Sequence, residues 1–171
     1  GFGYAGLITL GPKTATPHST STLRSGVEPT ITNGVIDWSC HALSMQGKWR
    51  SLCPGFERTL MESGAGSVRW SCVMPRASCN LTLNGQPAEG LGYAEVLEMS
   101  IAPWRLPIKE LRWGRWLSSD GSLSWIDWRG PRPLSLIVDG GFESAGAVTD
   151  DGVTLRDGRQ LALCSKRVIR D

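Results

Sequence analysis

Glu95 is the side chain in this sequence whose type and position most invite chemistry. It lies in GYAEVLEM, Gly92 to Met99, where strand alternation sets Tyr93, Glu95, Leu97 and Met99 on one face and Ala94, Val96 and Glu98 on the other. Glu95 therefore falls among apolar neighbours. Moving a carboxylate into such surroundings is costly, so it must either pair with a cation or hold its proton near neutral pH. The first outcome is a structural ion pair, and the second is a proton donor in a dry pocket. Tyr93 adds a phenol on the same face, within reach of the carboxyl or of a ligand oxygen.

The cation is supplied by WGRWLSSDGSLSWIDW, Trp113 to Trp128, which places four tryptophans around one Asp-Gly turn. A two-residue loop at Asp120-Gly121 sets Trp113 opposite Trp128 and Trp116 opposite Trp125. Leu111, Trp113, Arg115 and Leu117 then share the more apolar, inward face with Ser124, Ile126 and Trp128. A four-residue loop would keep this division, and a loop of three or five would invert one strand. Arg115 is the nearest inward cation to Glu95 and can also stack on an aromatic ring. Trp116 and Trp125 pack together on the outer face, where they would suit a homodimer interface. In SVRWSCVM the inward set is Val68, Trp70, Cys72 and Met74. The predicted interior thus holds Trp70, Tyr93, Glu95, Met99, Trp113, Arg115 and Trp128.

The elements that must position these residues are strands. Gly, Pro and Ser clusters interrupt nearly every window long enough for helix, leaving only Trp49 to Met61 and Pro107 to Leu111 as short helical candidates. Strands are predicted at Gly6–Leu10, Thr32–Cys40, Leu43–Trp49, Ser67–Val73, Ser78–Leu83 and Gly92–Ile101. Further ones follow at Leu111–Leu117, Leu123–Trp128, Leu134–Val138, Ala145–Val148, Gly152–Leu155 and Gln160–Ile169. Asn84-Gly85, Asp120-Gly121, Asp139-Gly140, Asp151-Gly152 and Asp157-Gly158 supply hairpin turns. Gly11 to Ile31, polar and broken by Pro12, Pro17 and Pro29, reads as a long loop or lid. A sandwich or a closed barrel would satisfy this order. The expectation is a single all-β domain over 1–171, an antiparallel up-and-down β-barrel with few or no helices.

Composition excludes several classes of function. The formal net charge of +2 and the scattered basic residues leave no footprint for nucleic acid. Five cysteines form no C-x-x-C, and His18 and His41 form no H-x-x-x-H, so no metal site and no cofactor are expected. Cys72 and Cys79 could bridge across a hairpin, but free thiols in a reducing cytoplasm are the plainer reading. No apolar run is long enough to span a membrane as a helix, and no leader is visible, so a cytoplasmic protein is expected.

Three short motifs give a resemblance. RWSCVMPRA (Arg69 to Ala77) is a tryptophan strand ending in a proline turn, GYAE (Gly92 to Glu95) is Gly-Tyr-x-acid, and Trp113-Gly114 is Trp-Gly. In these the sequence resembles the lipocalin-like proteins of the carotenoid 1,2-hydratase (hydroxyneurosporene synthase) type, a group that includes fungal pericyclases. The usual aspartate is glutamate here, Trp-Gly follows later than in the family, and the chain has room for one of the family's two β-barrel halves. The resemblance implies a lipocalin-like, calycin-type barrel that takes up a polyene, terpenoid or lipid-like ligand. Glu95 would match the acid that protonates a double bond, with Tyr93 beside it and Trp70 facing the cation formed. Three functions follow: a binder of a hydrophobic small molecule, a hydratase or isomerase using Glu95 as general acid, or a filled barrel that works through its surface.

Overall fold

The computed structural model describes residues 3–10, 15–22 and 29–164. These residues are antiparallel β structure with two single-turn 3-10 helices. The described residues divide into two compact units, one drawn from the sequence up to Arg50 and from Ser78–Gly90, the other from Ser51–Ala77 and from 91–164.

In the first unit, β1 (Gly3–Leu10) and β2 (Ala15–Thr22) form a two-stranded hairpin. The β2 strand lies where a loop or lid was expected; residues 11–14 and 23–28 of that segment lie outside the described residues. Pro17 is tolerated because each strand of a two-stranded sheet has a free edge. Next come β3 (Thr30–Thr32), β4 (Val35–Cys40) and β5 (Met45–Ser51), paired in sequence. Asn33-Gly34 joins β3 to β4 with φ of 49° and 74°, the paired positive values of a two-residue hairpin turn.

The second unit builds the candidate site. It takes in β6 (Phe56–Ser63), which replaces the helix expected over Trp49 to Met61, and the first part of β7 (Gly66–Leu83), whose residues from Ser78 belong to the first unit. The β7 strand is one 18-residue element rather than two strands separated by a proline turn. Val68, Trp70, Cys72 and Met74 are buried on it as the alternation predicts, but the parity changes at Pro75, and Ala77 and Cys79 are buried next. Cys72 and Cys79 lie on this same strand, so no hairpin brings them together, and none of the five cysteines is in a disulfide. The Asn84-Gly85 turn leads into β8 (Gln86–Met99), which is mostly exposed and pairs with β7.

A 3-10 turn at Pro103–Arg105 precedes β9 (Glu110–Leu117); no helix forms over Pro107 to Leu111. Then follow β10 (Ser122–Arg129), β11 (Leu134–Asp139) and β12 (Phe142–Ser144), and with β9 they form one four-stranded sheet. The last sheet comprises β13 (Gly146–Val148), β14 (Gly152–Leu155) and β15 (Gln160–Ala162). Beyond 164 the predicted final strand lies outside the described residues.

Two clusters hold this unit together. One gathers Met61, Val68, Trp70 and Cys72 of β6 and β7 with Ile126, Trp128, Leu136 and Val138 of β10 and β11. The other gathers Leu123, Trp125 and Ile137 with Val153 and Leu155 of β14. The β9 to β12 sheet is thus covered on both faces, which is why β10 and β11 are buried at successive rather than alternate positions. Within this unit β6 and β7 meet the β9–β12 sheet through side chains, and among the described residues no sheet closes into the expected barrel.

The β9–β10 turn spans Ser118–Gly121, with Ser118 N donating to Gly121 O at 2.9 Å and Ser118 Oγ accepting from the amides of Asp120 and Gly121. Four loop residues preserve the predicted faces but shift the partners. Trp113 stands opposite Ile126 rather than Trp128, and Trp116 opposite Leu123 rather than Trp125. Trp125 lies over Gly114 and is buried in the second cluster, so the exposed Trp116–Trp125 pair that suggested a homodimer surface does not form.

Candidate functional site

Alternation on four strands delivers the predicted residues to one place. On β8, Glu95, Leu97 and Met99 share a face; on β7, Val68 and Trp70; on β9 and β10, Leu111, Trp113, Ile126 and Trp128. All of them line a single cavity of about 360 Å³ within the second unit. Tyr93 and Arg115 stand beside it and not in its wall.

The Arg115 side chain is almost fully buried, at 5% exposure, and its Nη2 donates to Glu95 Oε2 at 2.7 Å. Trp70 Nε1 donates to the same oxygen at 3.0 Å. Arg115 also donates from Nη1 to the Pro75 carbonyl at 3.2 Å. Its guanidinium carbon lies 3.9 Å from the centre of the Tyr93 ring, a cation–π contact worth about 0.5–2 kcal/mol. Tyr93 in turn meets Trp113 in a tilted contact with ring centroids 6.5 Å apart. Of the two outcomes open to Glu95, the structure has the ion pair, reinforced by an indole donor. Tyr93 serves Arg115 through its ring face.

Behind Arg115 lies Cys72, whose Sγ is 3.5 Å from Nη2. Burial pushes this thiol above its ordinary range and outweighs the pull of Arg115 toward the thiolate. Cys72 is therefore held as a thiol and does not offer a nucleophile.

Three contributors to the cavity escaped the sequence reading: Leu60, Leu106 and Ile108. Leu60 is the extra residue of a β-bulge, since Thr59 pairs with Arg69 and Met61 with Val68, leaving Leu60 outside the ladder. Bulges of this kind re-aim a side chain beside a site. Leu106 and Ile108 arrive on the irregular connection after the Pro103–Arg105 turn. Alternating apolar residues flanking Pro107 were the available signal; a short-helix reading hid it.

The rim of the cavity is apolar as well. Leu97 and Leu111 are more than half exposed, at 52% and 54%, and Met99 and Trp113 are exposed beside them. Scattered exposed hydrophobics are ordinary, but four around one opening form a contiguous patch of the sort that marks ligand sites. Among the described residues, no helix is long and apolar enough to cross a membrane.

No protein-family model matches the chain. Comparison with curated proteins and with solved structures likewise finds no match.

Proposed function

We propose that the second unit binds an apolar small molecule in the cavity between β7, β8 and the β9–β10 hairpin. The observation that carries this reading is the lining: eleven apolar side chains and one carboxylate around about 360 Å³. That volume lies in the range of small-molecule sites, roughly 300–1,000 Å³, and such sites combine apolar walls with a few placed polar groups. At about 30 Å³ per water, it equals roughly a dozen waters, so a monoterpenoid-sized molecule fits whole and a long polyene would enter by one end.

The resemblance to carotenoid hydratase-type proteins agrees with this reading through Trp70, Tyr93, Glu95 and Trp113. A calycin-like barrel would require the β6–β7–β8 strands to join the β9–β12 sheet at an edge. The Glu95–Arg115 pair already links β8 to β9 at that place through side chains. A second reading, protonation of a ligand double bond by Glu95, is supported by the carboxyl's place in the cavity wall. Against it, Oε2 already receives N–H groups from Arg115 and Trp70. The geometry favours a positioned anion over a proton donor.

Titration with small terpenoids, read by tryptophan fluorescence, tests the reading, because Trp70, Trp113 and Trp128 all line the cavity. Saturable quenching is expected, and L97E with L111E at the exposed rim should weaken it at least about tenfold without loss of stability. Absence of quenching, or quenching indifferent to the rim charges, would refute binding here. Product mass measured in parallel separates the catalytic reading: turnover abolished by Glu95→Gln while quenching persists would establish it.

A further inference from the structure

We infer that Glu95 sets the charge selectivity of this cavity, admitting neutral apolar molecules and rejecting amphipathic carboxylates such as fatty acids or terpenoid acids. The inference rests on the reading of the cavity as a ligand site and names its ligand class.

Apolar pockets that accept carboxylated lipids need a cation or a set of donors where the head group arrives. This cavity has a cation close behind its wall, and Glu95 stands in front of it. Arg115 is excluded from the lining, whereas Glu95 is part of it and is the only charged residue among those lining the cavity. The Arg115 Nη2 that could greet an anion is engaged at 2.7 Å by Glu95 Oε2, and Nη1 is turned to the Pro75 carbonyl. The remaining guanidinium nitrogen, Nε, is buried without a hydrogen-bond partner. The guanidinium face is covered by the Tyr93 ring.

An entering carboxylate therefore meets a negative group and a positive group already neutralised. It would have to shed its water, displace Glu95 from Arg115 and leave Glu95 uncompensated. At close range and the effective dielectric near a protein surface, the repulsion between two such anions is large compared with thermal energy. A neutral alcohol or ketone of the same skeleton carries no such charge. The arrangement also supplies a reason for a carboxylate in an otherwise apolar wall: it selects by exclusion, through an unfavourable contact with the wrong ligand.

Removing the charge reverses the preference. In Glu95→Gln the shape of the wall is kept, Arg115 loses its counter-ion, and a buried cation beside an apolar cavity becomes a carboxylate receptor. The ligand's carboxylate would then take the place of Glu95 Oε2 on Nη2.

The test compares perillyl alcohol with perillic acid, which share one skeleton and differ in charge at neutral pH, by calorimetric titration. The full chain is expected to bind the alcohol at least about tenfold more tightly than the acid. In Glu95→Gln the ratio should fall to unity or invert. Because that variant leaves a buried Arg115 unpaired and could unfold, Glu95→Gln combined with Arg115→Met provides the control. With both charges gone neither repulsion nor a receptor cation remains, so the alcohol-to-acid ratio should lie between those of the parent and of Glu95→Gln. Equal affinity of the parent for alcohol and acid would overturn the selectivity while leaving the cavity as a ligand site. An acid affinity unchanged by Glu95→Gln in folded protein would do the same. Failure of the parent to bind either compound would overturn the ligand site itself, and the selectivity with it.

Discussion

Replacing Gly114 by alanine should loosen the second unit from within. Gly114 lies opposite Trp125, and a Cβ built there meets three atoms of the indole, the farthest of them at 2.8 Å. Real Cβ atoms do not approach so closely, so the ring must move. It has little room, because Trp125 is packed with Leu123, Ile137, Val153 and Leu155. Forcing one extra methyl into a filled core costs about 1–3 kcal/mol, and re-exposing a third of an indole of ~200 Å² costs about 1.7 kcal/mol at 25 cal/mol/Å². Removing glycine from a strand returns about 0.5–1 kcal/mol. The net loss is about 2–4 kcal/mol, or roughly 4–16 °C in Tm for a chain of this size. Near-UV circular dichroism reports the tryptophans directly and is the assay of choice. In a Trp125→Leu background the same Gly114→Ala change should cost nothing, giving a coupling energy of about 1 kcal/mol or more. A Tm lowered by less than about 1 °C, or strict additivity with Trp125→Leu, would refute the close packing of this pair.

Trp70→Phe and Trp128→Phe remove the same atoms from two buried rings, but only Trp70 Nε1 has a hydrogen-bond partner, whereas Trp128 Nε1 is buried without one. Urea unfolding should therefore show Trp70→Phe costing about 1–3 kcal/mol more than Trp128→Phe, and equal losses would contradict the Trp70–Glu95 bond. Alkylation by iodoacetamide, followed by mass spectrometry, should label exposed Cys164 first and leave Cys72 unmodified until the protein unfolds. For Cys72 the raised folded-state value means stability is fully present below the ordinary thiol range and declines as pH rises through the folded value, so Cys72→Ser should flatten the alkaline limb. At the acid end, Asp157 is held below its usual 3.8 first by the Arg159 backbone N–H and then by the Arg159 side chain. Its contribution is present above that value and is lost as pH falls through the lower folded value, so Asp157→Asn should remove part of the fall in Tm on acidification.

The sequence carried the parity of the site well. Period-two alternation placed Glu95 with Leu97 and Met99, and Trp70 with Cys72, because those faces differ sharply in polarity. It also paired Glu95 with Arg115, for want of another inward cation. Register was less secure, since Asp120-Gly121 suggested a two-residue loop and Ser118 built a four-residue one through its hydroxyl. Asn33-Gly34, as strong a hairpin signal as Asn84-Gly85, lay inside a stretch read as one strand. The β6 strand was missed because its Leu60 bulge breaks the alternation a strand should show. Pro75 was read as a turn although β7 runs through it, with only a change of buried face. The second cluster was invisible for a different reason: which face of the β9–β10 hairpin meets β14 depends on contacts between residues more than twenty positions apart.

The Ser118–Gly121 loop also limits how this protein can change over generations. Because β10 feeds Ile126 and Trp128 to one cluster and Leu123 and Trp125 to the other, odd and even positions on it are separate allotments. Lineages could lengthen or shorten that loop in steps of two and keep both intact. A single added or lost codon would trade the contents of the cavity for those of the opposite layer. Drift there should proceed in pairs, an imprint that a collection of orthologous sequences would carry in its gap lengths.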